Sequence, residues 1–288
     1  MKLLFYLITL IPIYFIRSAI NLYTKLNLYK TSSLYKLTMC NIKICFPELS
    51  DADKVLLAKQ SFIETLVSAY ETIQSWARPI HISGKMIFRI ENNYLITQNI
   101  NKKNGLAIIA IHNRSVDMLL KWINAKTSTT TLYKKSRIKL LDGFARKQRQ
   151  ENNNDVYETN MNGVRKIFQA FKDNKVVCLA ADQVPQWGMG EHIKIFGKDA
   201  YTTTLAASMV YKTRKPAVFI CLNSFKNNSL GVTIKPCKNS IYNDSEYKLS
   251  LNQSIEELIR INPQDYSWEY KRFKWVNGID GKDIYKNI

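Results

Sequence analysis

Leu106-Ala107-Ile108-Ile109-Ala110-Ile111-His112-Asn113-Arg114-Ser115-Val116-Asp117 decides how this chain is read. The unbroken apolar run marks a strand buried on both faces. Its exit delivers the imidazole of His112 and, five residues later, the carboxylate of Asp117. Met118-Leu119-Leu120-Lys121-Trp122-Ile123 then begins a helical pattern, so a helix opens near Ser115. A strand ending at His112 and turning into that helix can place imidazole and carboxylate on one rim. The spacing predicts that Asp117 accepts from one ring N–H and leaves the other nitrogen free as a base. A hydroxyl could then be activated without a protein Ser or Cys. The structural alternative is that Asp117 simply serves the helix N-terminus.

On either side of this stretch, further buried strands alternate with helices. A long helix is predicted from Ser50 to Arg78, with Ser50 and Asp53 as its cap and Pro79 as its stop. Downstream come a strand at Thr131-Leu132-Tyr133, a basic helix over Ile138–Gln150 and an amphipathic helix over Gly163–Asp173. Val176-Val177-Cys178-Leu179-Ala180-Ala181 is a second buried strand, again ending in polar residues, Asp182-Gln183. A strand near Ile193–Phe196, a helix over Thr202–Lys212 and an apolar strand at Ala217–Leu222 follow. This alternation predicts an α/β domain whose mixed sheet is mostly covered by flanking helices.

The chain has 288 residues, 46 % of them hydrophobic, enough for a sizeable core. Its formal net charge is +19. Such a surface suits nucleic acid, an anionic membrane or an acidic protein. Compositional drift, with Lys far outnumbering Arg, is the bland account. No recognisable nucleic-acid-binding module carries the charge, so no nucleic-acid partner is expected. Five cysteines without a C-x-x-C pair and three histidines predict neither a zinc site nor another metal centre. Phosphate-binding loops, a dinucleotide fingerprint and a G-x-S-x-G elbow are all absent.

From Leu3 to Ile16 there is no charge, and Arg17 then interrupts a weaker apolar continuation. A bilayer core needs roughly 20 residues, so the segment spans only if Arg17 snorkels. Arg17, Lys25, Lys30 and Lys36 follow it, which places the remaining chain on the cytoplasmic side. A membrane anchor is favoured over a cleaved signal or a core helix, with spanning and interfacial placement both open. Residues 1–30 are accordingly read as an anchor and residues 31–288 as the α/β domain.

His112-x-x-x-x-Asp117 resembles the signature of the glycerolipid acyltransferase superfamily. More closely, the chain resembles bacterial lipid A late acyltransferases. The likeness runs through Asn41, Phe46-Pro47-Glu48, Glu71 with Trp76, Leu132-Tyr133-Lys134, Gly163-Val164-Arg165 and Asp182-Gln183. It continues through Phe196-Gly197, Ala200, Thr202-Thr203 and Pro263…Tyr266…Trp268…Arg272-Phe273-Lys274. Many members carry Glu at the position of Asp117; Ile195 replaces a usual Phe, and Tyr270 a common His.

The resemblance implies a glycerolipid-acyltransferase-like fold and an enzyme that moves a fatty acyl chain from acyl carrier protein to a lipid A precursor. It implies the catalytic pair His112 and Asp117, no cofactor beyond the acylated carrier protein, and inner-membrane location with a cytoplasmic catalytic face. Membrane lipids would be further partners. Arg165 is implied as a contact for acceptor phosphate or oxyanion, with Arg149, Lys134, Asp182 and Gln183 shaping the site. Arg149 and Arg165 read equally well as solvated helix residues. Transfer to another glycolipid or a lysophospholipid, and a non-catalytic basic membrane-binding protein, are the alternatives.

Overall fold

The computed structural model describes residues 2–136, 139–225, 229–277, 284–286 and 288. Helices α1 (Lys2–Ile8), α2 (Ile13–Lys25) and α3 (Ser33–Cys45) lead into the long α4 (Asp51–Ala77). The cap of α4 is the expected one: Ser50 Oγ accepts from the Asp53 N–H at 3.1 Å. Asp51 and Asp53 also place negative charge against the first turn's unpaired amides. The short α5 (Ile80–Ser83) and an edge strand, β1 (Ile87–Glu91), follow.

The central succession is α6 (Tyr94–Lys102), β2 (Leu106–Ala110), α7 (Val116–Asn124), β3 (Thr129–Tyr133), α8 (Lys139–Arg149) and β4 (Asp155–Glu158). The expected start of α8 at Ile138 lies outside the described residues. Then come α9 (Met161–Lys172), β5 (Val176–Ala180), the hairpin β6 (Gly190–Ile195) and β7 (Lys198–Thr203), and α10 (Leu205–Thr213). The strands β8 (Ala217–Ser224) and β9 (Leu230–Pro236) precede α11 (Tyr247–Ile261).

Seven strands form one sheet in the order β1-β9-β8-β2-β5-β3-β4, with β6 and β7 as a separate ribbon. Neighbours in the large sheet run parallel except β8 and β9, so the sheet is mixed, as the alternating pattern implied. Side chains alternate between two cores. Ala107, Ile109 and Ile111 face one core with Val177, Leu179, Phe219 and Cys221. Leu106, Ile108 and Ala110 face the other with Cys178, Ile220 and Val232. Each strand of the pair β2 and β5 is thus covered on both faces, which is why each reads as an uninterrupted apolar run.

Two expectations change. Thr202 and Thr203, read as opening a helix, instead close β7, and α10 begins at Leu205. β-Branched threonines suit a pleated strand better than a helix interior. The N-terminal segment forms two helices rather than one. No single helix among the described residues is long and apolar enough to cross a membrane, and α1 and α2 meet at a 78° bend. Pro12 stands at the break as the cap residue of α2.

Arg17 does not snorkel outward. Its Nη1 and Nη2 donate to the two Glu64 oxygens on α4 at 2.7 and 2.9 Å. Nearby, Arg78 Nε donates to Thr9 Oγ1 at 2.8 Å, Gln74 Nε2 donates to the Thr9 carbonyl at 3.3 Å, and the Tyr70 hydroxyl donates to the Ile11 carbonyl. Phe5 packs against Trp76 and Phe144. The bent pair therefore lies along α4 while Leu3, Leu4, Leu7, Leu10, Tyr14 and Phe15 remain exposed.

Candidate active site

Parallel register builds the site. Ala110 of β2 lies opposite Ala180 of β5, and two residues beyond, the same offset brings His112 beside Asp182. Both strands end here, at the carboxyl edge where α/β sheets collect functional groups. Asp182 Oδ1 lies 2.8 Å from His112 Nδ1, and Asp182 Oδ2 accepts from the His112 main-chain N–H at 3.0 Å. A carboxylate accepts only, so Nδ1 carries the proton and Nε2 the lone pair.

Asp182 is 1 % exposed and the His112 side chain 27 %. Burial alone would depress the imidazole pKa, but the Asp182 charge and hydrogen bond outweigh it and hold His112 above its ordinary value. Burial likewise opposes the ionised Asp182, yet His112 and the two bonds keep its carboxyl below the usual range. Tyr266 and Glu269 stand near this pair, and burial raises both of their pKa values.

The expected His112–Asp117 hydrogen bond is not made; the structure gives His112 a different carboxylate. Ser115 caps α7 by accepting from the Met118 N–H at 3.1 Å, which sets Asp117 in the helix's first turn. From there its carboxylate faces α8. Arg149 Nε and Nη2 donate to Asp117 Oδ1 and Oδ2 at 2.6 and 3.0 Å. This fork uses both carboxylate oxygens, a strong geometry for a charged pair. Burial opposes the Arg149 charge, but Asp117 holds the guanidinium pKa above its ordinary value. Arg149 is thus tied into the site rather than solvated on its helix.

Between His112 and Ser115 the chain is fixed from behind. Arg114 adopts a left-handed backbone, φ 53°, with a side chain only 1 % exposed. Such a conformation costs a non-glycine residue roughly 1–3 kcal/mol and persists only where the surroundings over-determine it. Here the Arg114 guanidinium meets Glu71, Glu64 and Asp265, the last at 3.0 Å. Its main-chain N–H donates to the Asp265 carbonyl at 2.9 Å. The Ser267 N–H donates to the His112 carbonyl at 2.9 Å, and Asn113 Nδ2 donates to Asn223 Oδ1 at 2.8 Å. The sequence pattern flagged Glu71 only as part of a likeness, and gave Glu64, Arg114 and Asp265 no role. A charged residue amid an apolar-to-helix transition was the available signal for Arg114.

His112 borders a cavity of about 340 Å³ running between α7 and the sheet. Its wall includes Leu119, Leu120, Ile123 and Leu179, with Lys134, Arg149 and Gln183 also lining it. Three expected residues thereby converge with His112, and Asp182 joins through its hydrogen bonds. Arg165 does not: it is exposed on α9 and is no part of the cavity wall. The buried face of α9 turns Gly163 inward instead, where a Cβ would meet the Glu158 carbonyl oxygen at 2.0 Å. Cys178 lines the cavity too, but burial pushes its thiol up to about 12, out of the nucleophile's range.

An oriented imidazole at the head of an apolar cavity, in an α/β frame, defines a site that can activate a substrate hydroxyl beside a hydrocarbon chain. The sequence pattern of the bacterial lipid A biosynthesis acyltransferases matches residues 2–275, so the chain belongs to that family. It is also similar to the lipid A biosynthesis lauroyltransferase of Escherichia coli (strain K12), at 19 % identity over 243 residues, covering 83 % of this chain and 78 % of that protein. The protein is therefore an acyltransferase of lipid A synthesis.

Proposed function

We propose that this acyltransferase moves a fatty acyl chain from acyl carrier protein to a hydroxyl of a lipid A precursor, with His112 as general base. The observation that carries the reading is the His112–Asp182 pair at the head of the apolar cavity. A thioester is already activated, so the enzyme needs a base, an oxyanion partner and alignment. His112 Nε2 takes the acceptor proton as the acceptor oxygen bonds to the thioester carbon. Asp182 offsets the imidazolium charge that develops. The tetrahedral oxyanion then collapses, the carbon–sulfur bond breaks, and the imidazolium returns its proton to the leaving thiolate.

Arg149 spends Nε and Nη2 on Asp117, which leaves Nη1 for a substrate oxygen. Asp117 is thus a positioning residue acting through Arg149. Leu119, Leu120 and Ile123 would receive the acyl chain. Lys134 and Gln183 would flank the incoming groups, and Arg165 would reach only a more distant acceptor phosphate. The exposed apolar face of α1 and α2 suits an inner-membrane surface with the catalytic part on the cytoplasmic side.

The test is transfer by the purified protein from acylated carrier protein to Kdo-substituted lipid IVA, read by mass spectrometry. One added acyl mass is expected, with His112→Ala slower by at least roughly 100-fold. Transfer to a lysophospholipid alone would replace the acceptor, and near-normal turnover by the folded His112→Ala protein would remove the base.

A further inference from the structure

Beyond the cavity wall at Pro185 and Gln186, the chain turns outward and displays Trp187, which is 67 % exposed. Large aromatic side chains seldom stand in water without a partner, and this one is held rigidly. Its ring stacks on Tyr201 with centroids 5.0 Å apart and planes at 22°. Trp275 stands against it edge-on at 5.2 Å and 77°, and His192 edge-on at 6.3 Å. Tyr201 is buried, and its hydroxyl accepts from the N–H groups of Gly188 and Gly190 at 2.9 and 2.8 Å.

The turn demands those glycines. Gly188 has φ +86°, and a Cβ on Gly190 would fall 2.5 Å from the Thr202 carbonyl oxygen. One face of the indole is therefore occupied by Tyr201, and the other is presented to solvent in a fixed orientation. Its surroundings are polar: Gln186 is exposed beside it, and the Lys274 ammonium lies 4.1 Å from the Trp275 ring centroid. Lys134 of the cavity wall bears electrostatically on that same Lys274.

We infer that the Trp187–Tyr201–Trp275 cluster is a carbohydrate platform that seats a pyranose ring of the acceptor at the mouth of the His112 cavity. This rests on the proposed glycolipid acceptor. A pyranose has an apolar face of axial C–H groups and a rim of hydroxyls. A flat aromatic plane satisfies the face, and amide, imidazole and ammonium groups at its margin satisfy the rim. A lipid tail would need no such polar margin. A rigid plane also loses little conformational entropy when a sugar docks.

The experiment uses the full chain in detergent, with Trp187→Ala and Trp187→Phe. Trp187→Ala should raise the acceptor KM about 10-fold while the donor KM stays within twofold. Trp187→Phe, which keeps an aromatic plane, should recover most of the loss. Independently of turnover, the fully deacylated glucosamine disaccharide should change the tryptophan fluorescence of the wild type and not of Trp187→Ala. An unchanged acceptor KM, or no fluorescence change with the disaccharide, overturns the platform. Equal loss of binding by Trp187→Ala to sugar-free phosphatidylglycerol vesicles, with acceptor KM following that loss, overturns it in favour of a membrane contact. Wild-type transfer to sugar-bearing acceptors distinguishes the two levels: its absence defeats the acyl-acceptor reading, whereas its presence with an indifferent Trp187 defeats the platform alone.

Discussion

At the scale of single residues, the division of labour between two aspartates is the main finding. Asp182 acts on the imidazole directly, whereas Asp117 acts on Arg149. The pH dependence separates them. A base works only when unprotonated, and the His112 pKa is raised, so the acidic limb of kcat/KM should lie above the ordinary histidine value of about 6.5. Asp182→Asn removes the raising charge and leaves burial, so the limb should move to lower pH as the rate falls. Asp117→Asn should lower the rate with a much smaller move of the limb, and combining it with Arg149→Ala should add little. Equal limb shifts in the two aspartate variants would refute this assignment. The same linkage affects stability. The raised His112 contributes below its unfolded pKa and loses that contribution as pH rises through the folded one. The lowered Asp182 contributes above its unfolded pKa and loses that as pH falls through the folded one. The pair's contribution is thus greatest between about pH 4 and 6.5, and Asp182→Asn should lower Tm most across that window, with a smaller loss on either side of it.

At the scale of elements, the strand–helix alternation was legible because β2, β5 and β8 up to Leu222 are uninterrupted apolar runs, buried apart from Ala180. The edge strand β1 has three exposed residues in five and gives no such run. Sequence proximity suggested Asp117 as the partner of His112; only strand register, which no local pattern encodes, brings Asp182 from 70 positions away. The Arg114 cluster was invisible for the same reason, since its carboxylates come from α4 and from the segment after α11. Removing one member of a buried charge group leaves its partners uncompensated, which typically costs about 3–5 kcal/mol. Glu71→Ala should therefore lower the urea unfolding free energy by about that amount; a change below roughly 1 kcal/mol would show that the cluster relaxes around the loss. Arg17→Ala should cost less, about 1–2 kcal/mol, because Glu64 keeps Arg114 and the pair is 16 % exposed on each side. Because α1 packs on α4 through Phe5, and Thr9, Ile11 and Arg17 bond to it, deleting the pair should lower Tm as well as membrane association. An unchanged Tm after deletion would mark the segment as a detachable anchor instead.

At the scale of the whole molecule, charge and shape would divide between the two proposed substrates. A net charge of +19 would draw the proposed acidic carrier protein and phosphorylated lipid alike. If the basic residues near the cavity mouth dock the carrier, raising salt from low to physiological should increase the donor KM more than it slows transfer at saturation. Charge reversal at Lys134, Lys135, Arg146 or Lys147 should mimic that effect, and a flat donor KM would assign the charge elsewhere. Asp182 grips His112 by both its main-chain amide and its ring, so the imidazole is held in one orientation. On a molecule bearing several hydroxyls, the one that becomes an ester is then chosen by how that molecule is seated. If His112 is the base, regiochemistry in this protein is a property of the mouth, and a new acylation position can arise by reshaping the mouth while the base stays where it is.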